Sequence, residues 1–428
     1  MPLAVVMVVL LSIVGFGMLK LGLDTRTMAV RTTTQISARA AADAGLTKAT
    51  FEMNKNLSVK PWGFDNMASS GNRVLLGTNA SYTYKIEEIN NDSEYRITSI
   101  GRSGSAAKTV SAILVVQGTF CYPIFAQGYA IPKRPKPHRH KHGQGPRPPK
   151  PLKKGGKLEI HGFSVDDSYS SDPSEAYSGT IQLRTNNIHK KSVKLRENVV
   201  VNGDVIVGPG GDPDKVIEMK KGASITGDAY SAKERQELLS VILPQGLENM
   251  PTQTYEYNAG VPIDGNKKYS SLIIPRDAVQ EINGNCEIYV VGNVKVEDGA
   301  QLILTNNSSL TIYVGGEKFE TKKKSDGLIN ETEDPTNLLI FGLDTCRKVK
   351  IENQNTGDFY GAVYAPFAKV EMKTNGDLYG AFAGWDVKLK KKKGGEAATF
   401  YFDRSLRIGN LRATDPLATR FIVKRWYE

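Results

Sequence analysis

Four aspartates that each follow a glycine, Asp204, Asp228, Asp358 and Asp377, are the residues of this 428-residue sequence best typed for chemistry. Carboxylates clustered in a groove can act as general acid, base or nucleophile in glycoside cleavage. Here each sits in a Gly-Asp turn, where a short side chain bonding its own backbone is the ordinary role. His138, His140 and His142 alternate with Arg139 and Lys141. Three imidazoles can hold a transition metal, but the interleaved cations repel a divalent ion. His161 and His189 stand alone. The three cysteines, Cys121, Cys286 and Cys346, form no CxxC and no Cys/His zinc spacing. In an oxidising compartment one bridge can form. Cys286 with Cys346 is the favoured pair, because both fall in one expected domain. No GxSxG, HExxH, P-loop or GxGxxG stands in its required context. With no nucleophile, base or metal set assembled, the expectation is a chain that is not an enzyme and holds no cofactor.

The elements around these residues read as mostly β. Gly is abundant, with 41 residues, and Asn-Gly, Gly-Asp and Gly-Gly pairs punctuate short apolar runs through the second half. Asn355-Thr356-Gly357-Asp358-Phe359-Tyr360-Gly361-Ala362 recurs 19 residues later as Thr374-Asn375-Gly376-Asp377-Leu378-Tyr379-Gly380-Ala381. A period near 20 with turn residues at fixed offsets predicts stacked rungs that share one core. Three interruptions are visible: a short helix over Ala232–Leu239, a wrapping loop over Leu243–Lys268 and a polar, charged loop over Glu317–Asn337.

The N-terminus is different. Pro2–Leu23 carries one charge, Lys20, and is long enough for a membrane-crossing helix. No basic segment precedes it and no A-x-A signal directly follows, so an anchor fits better than a cleaved signal peptide. The helix is expected to continue through the Ala-rich stretch to residue 53, with Ile36, Ala40, Ala44, Thr47 and Phe51 along one side. Gly15, Gly17 and Gly22 would permit close helix approach. Tyr82–Ile86, Glu94–Gly104 and Lys108–Val116 then read as an antiparallel meander.

The net charge is +11. The segment Lys133–Lys157 holds ten Lys or Arg and no acid, and a second basic run spans Lys388–Lys393. The first is dense in Pro, so it is expected to be extended and exposed. Charge runs are ordinarily solvated. If the arm binds anything, Lys133, Arg134, Lys136, Arg139 and Lys141 are the candidate contacts to an anionic glycan or surface. Nucleic acid is disfavoured, because no aromatics are interleaved for base stacking.

The uncharged apolar start, followed by a long Ala-rich helix with Ala41-Ala42-Asp43-Ala44-Gly45-Leu46 and then a meander, resembles type IV minor pilins. Tyr360–Pro366, Asp377–Phe382 and Phe400–Leu406 look like the β-helix domains found behind minor-pilin-like helices in bacteria. The family's fifth residue is usually Glu; here it is Val5, and the numbering is read as starting at the processed end. The resemblance implies a mainly β protein with a long N-terminal α-helix. Its expected parts are a pilin-like helix (1–53), a small antiparallel sheet (54–118), a basic arm or linker (119–156), a right-handed β-solenoid (157–407) and a tail strand (408–428). The implied role is a structural subunit of an extracellular filament. It would be assembled through the helix, with Val5, Val9, Ile13, Gly15, Gly17 and Gly22 in the packed core and the solenoid displayed outward. The implied partners are further copies or other pilin-like subunits, the pilus assembly machinery, and the inner membrane that holds the precursor before it reaches the bacterial surface. The alternative is a membrane-anchored adhesin or envelope scaffold that does not polymerise.

Overall fold

The apolar run and the Ala-rich stretch fold as one continuous helix, α1 (Pro2–Leu57). The computed structural model describes residues 2–57, 73–74, 79–90, 94–118, 120, 122–128, 155–166, 168–169, 181–322, 327–353, 357–391, 398–406 and 418–427. Residues 1–117 with 408–428 make one compact unit, and residues 118–407 make the other.

In the first unit, the period-2 runs form strands β1 (Arg73–Val74), β2 (Ala80–Asn90), β3 (Glu94–Ser103) and β4 (Ala106–Gly118). They pair in order, each with the next antiparallel. Tyr95, Ile97 and Ser99 of β3 alternate inward and are buried. The helix lays Ala38, Ala41, Ala42, Leu46, Ala49, Met53 and Leu57 into the core. The side expected from the larger residues is the opposite one: Ile36 is 64% and Phe51 60% exposed. Backbone proximity explains the inversion. A Cβ on Gly101 would lie 2.0 Å from the Ala38 carbonyl oxygen, and one on Gly45 would lie 2.3 Å from Ser99 Oγ. At those two points of closest approach only a small side chain fits. The tail strand (Ala418–Tyr427) joins this sheet beside β4. Phe421 packs edge-on against Tyr95 at 5.1 Å, and its backbone N–H donates to Asn54 Oδ1.

The second unit is built from parallel ladders, with the strands from Ile263 to Phe402 pairing mostly 19 to 30 residues apart (Phe359 with Leu378, Phe319 with Val349). A four-strand sheet of Ile263–Asp264, Val279–Asn283, Gln301–Leu304 and Gly327–Asn330 forms a separate parallel ladder. Inward residues stack on their like. Met372, Leu389, Ile160 and Leu195 form one column, and all are buried.

The order of stacking is not the order of sequence. Residues 263–402 stack consecutively and end with Leu378–Lys391 against Ile124–Ala126 and Leu158–His161, the first strands of the unit. From there the stack continues to Ala229–Ser231. The chain then returns through residues 232–262. The helix expected over Ala232–Leu239 is absent, because that segment runs across the ladder and hydrogen-bonds to it. Glu234 O accepts from Arg184, Gln236 N donates to Asn186 Oδ1, Leu238 N donates to Gln127 Oε1, and Leu239 O accepts from Tyr364 Oη.

Three boundaries therefore differ from expectation. The parallel stack starts at Ile124, so the basic arm interrupts the second unit instead of preceding it. Glu317–Asn337 is not a plain loop but carries the strands Lys318–Thr321 and Gly327–Asn330. The wrapping loop Leu243–Lys268 includes a short helix, Gln245–Glu248, and the strand Ile263–Asp264.

The outer face of one ladder is charged in register. Lys295, Glu320, Lys350, Glu371, Lys388, Glu159, Lys194 and Glu218 follow one another across eight adjacent strands, alternating in sign at every step. Opposite charges directly across a strand pair stabilise it. The row passes without a break through the junction where the two sequence halves meet.

Candidate assembly interface

Three of the four candidate catalytic carboxylates are spent on the stack. Asp204 Oδ1 accepts from the Asp228 N–H at 2.9 Å, Asp358 Oδ1 from the Asp377 N–H at 2.8 Å, and Asp377 Oδ1 from the Thr399 N–H at 2.7 Å. They bond the turn of the next strand, not their own backbone as the Gly-Asp pattern suggested. The glycine before each following aspartate makes room for this. A Cβ on Gly376 would lie 2.7 Å from Asp358 Oδ1 and 2.4 Å from Gly357 O.

Among the described residues, no group of three His, Cys, Asp or Glu could hold a metal ion. His189 is exposed. His161 lies 4.0 Å from Glu159. Burial would raise the Glu159 pKa, but the Lys388 hydrogen bond at 2.5 Å and the charges of Lys388 and Lys194 bring it down to about 2.

The expected Cys286–Cys346 bridge is not formed; both thiols are free and buried. Cys286 pairs across to Leu310, which pairs in turn with Leu338. Cys346 follows that third strand, so two strand spacings, about 9.6 Å, separate the levels. A disulfide needs Cα atoms within roughly 7 Å. Burial raises both thiol pKa values, that of Cys346 to about 11. Cys121 lies outside the described residues, as do Lys133, Arg134, Lys136, Arg139 and Lys141.

What stands out is the first half of α1. Leu10, Leu11, Ile13, Val14, Phe16, Met18, Leu19, Leu21 and Leu23 are all exposed, Leu11 at 70% and Phe16 at 78%. Successive helical residues are turned by about 100°, so these nine cover the whole circumference and not one stripe. Gly15, Gly17 and Gly22 face open space, with no atom within 4 Å of a Cβ built on any of them. The helix becomes buried only from Ala38 onward. A helix that is apolar all round belongs in a protein core or a membrane. Covering nine such side chains is worth on the order of 15–25 kcal/mol. Among the described residues, no helix is long and apolar enough to cross a membrane. The side chains of residues 1–6, 8 and 9, with Val5 and Val9 among them, lie outside the described ones.

Residues 270–408, less than half of the chain, match a family model described as a domain of unknown function, DUF7305. Among solved structures, the chain is similar to the competence-associated pilin ComZ from Thermus thermophilus at 12% identity. That match covers 92% of this chain and 97% of the other with a TM-score of 0.28, a value on which no argument rests. No curated protein matches the chain.

Proposed function

We propose that the chain is a structural subunit of a type IV pilus-like extracellular filament, held together by packing of the bare half of α1 against other such helices. The observation that carries this reading is the helix itself: bare and, but for Lys20, apolar on every side up to Leu23, then docked from Ala38 by its alanine-rich face on an antiparallel sheet. Before assembly, the same apolar surface would be housed in the inner membrane and handed on by pilus assembly machinery. Its partners would be further copies or other pilin-like subunits at the bacterial cell surface.

The second unit is proposed to be a right-handed β-solenoid. Its strands pair in parallel one after another, and crossover connections between parallel strands are right-handed in about 98% of cases. Its role is structural or adhesive and not catalytic. The carboxylates best typed for catalysis hold neighbouring strands together.

The test is to shear the surface of cells that express the chain and examine the released material by electron microscopy and peptide mass spectrometry. The chain is expected as a component of fibres in the sheared fraction. Recovery only with membranes, and no fibres, would replace the filament reading with that of an anchored adhesin or scaffold.

A further inference from the structure

Beside the alternating row, two residues further along each strand, the outer face carries a second row. It runs Glu352, Lys373, Lys390, His161, Arg196, Lys220. After Glu352 there is no acid. Five cationic or titratable nitrogen groups succeed one another at one strand spacing each, about 4.8 Å, over roughly 19 Å. Like charges directly opposite one another destabilise a strand pair, and the adjacent row shows that this sheet can alternate sign wherever alternation serves.

One end of the row has partners. Arg196 Nη2 bonds Glu218 Oε2 at 2.5 Å, and Lys220 lies 3.3 Å from Glu218. The other end does not. Among the described residues, no carboxylate lies within ion-pair distance of Lys373 or Lys390. Glu159, at 4.0 Å from His161, is held by Lys388 and Lys194. His161 Nε2 is buried and has no hydrogen-bond partner. Burial and the neighbouring Lys388 lower the pKa of Lys390, and burial lowers that of His161. Lys373 and Lys390 would gain from an anion laid over them.

We infer that the row Lys373–Lys390–His161–Arg196–Lys220 is a binding track for a linear acidic polysaccharide, with carboxylates of successive sugars set over successive strands. The row is straight, because the parallel register fixes it, and its step is comparable to the advance of one sugar in an extended glycan. The row contains no Phe, Tyr or Trp on which a nucleobase could stack, which sets it apart from single-stranded nucleic-acid sites. The mixed-sign row alongside is self-neutralised and leaves the cationic row as the local field.

The experiment measures binding of an oligogalacturonate about ten sugars long to the full chain at low salt. It compares the unaltered protein with K373Q/K390Q and with K85Q/K233Q, which loses the same charge elsewhere. Loss of two ion contacts of ordinary surface strength should weaken binding about tenfold in the first variant. The second should change it less than twofold. Carbodiimide coupling of the bound oligomer to the unaltered protein, read by mass spectrometry, should join it to Lys373 or Lys390. This second readout does not depend on how the variant folds. Equal losses in both variants, coupling only at other lysines, or equally tight binding of single-stranded DNA of equal charge through the same lysines would each overturn the assignment.

Discussion

Replacing Ile13 with Asp is expected to remove the chain from the sheared surface fraction while leaving both folded units intact. Ile13 is 63% exposed, so the substitution disturbs nothing inside the subunit. In an apolar environment, whether a bundle of helices or a bilayer, an Asp at the centre of the span costs about 2.5–3.5 kcal/mol. At 1.4 kcal/mol per factor of ten, incorporation should fall roughly 100-fold relative to the unaltered chain. Ile13→Leu, which keeps the apolar surface, should assemble normally. The measurement is the amount of chain in sheared material against total chain, with thermal unfolding of the purified protein as the control. Normal incorporation of the Asp variant would mean that this part of α1 is not packed in the filament.

Replacing Gly101 with Ala is expected to loosen the first unit sharply. The added Cβ would stand 2.0 Å from Ala38 O, 2.3 Å from Ala42 N and 3.0 Å from Ala41 C. All three are helix backbone atoms, so no side chain can swing aside; the helix itself must move off the sheet. Overpacking of this kind costs about 3 kcal/mol. For a unit of this size, that lowers the melting temperature by roughly 10 °C. Gly357→Ala, in the second unit, meets nothing within 4 Å and should melt as the unaltered protein does. Equal melting of both variants would show that α1 does not approach β3 as closely as described.

Much of this architecture is legible in the residues. The helix follows from an uninterrupted apolar and Ala-rich run, and the antiparallel sheet from three alternating segments. The parallel pairing follows from the 19-residue recurrence, which the register reproduces by placing Phe359 opposite Leu378 and Tyr360 opposite Tyr379.

The rest depends on contacts that no local pattern encodes. The spacing sets Ile36, Ala40, Ala44, Thr47 and Phe51 along one side, yet Ile36 and Phe51 are exposed. The close approach of Gly101 and Gly45 brings the opposite, alanine-rich face onto the sheet instead. The return of residues 232–262 across the ladder is fixed by Arg184, Asn186, Gln127 and Tyr364, which come from other parts of the chain. Helical propensity over Ala232–Leu239 is overridden by those bonds. Lys318 and Glu320 read as loop because they are charged. On a strand whose other face is buried, they are simply the outward positions. The two charge rows cannot be found from sequence at all, since they join residues up to 229 positions apart, as in Lys388 and Glu159.

The central claim is that the bare half of α1 meets other helices of its own kind. The most direct measurement places a photo-crosslinking amino acid at Phe16, irradiates sheared surface material and identifies the joined peptides by mass spectrometry. The account predicts crosslinks from position 16 to the N-terminal helix of another copy or of another pilin-like subunit. Sheared material in which position 16 joins no other helix, with crosslinks confined to lipid or to its own subunit, would contradict it.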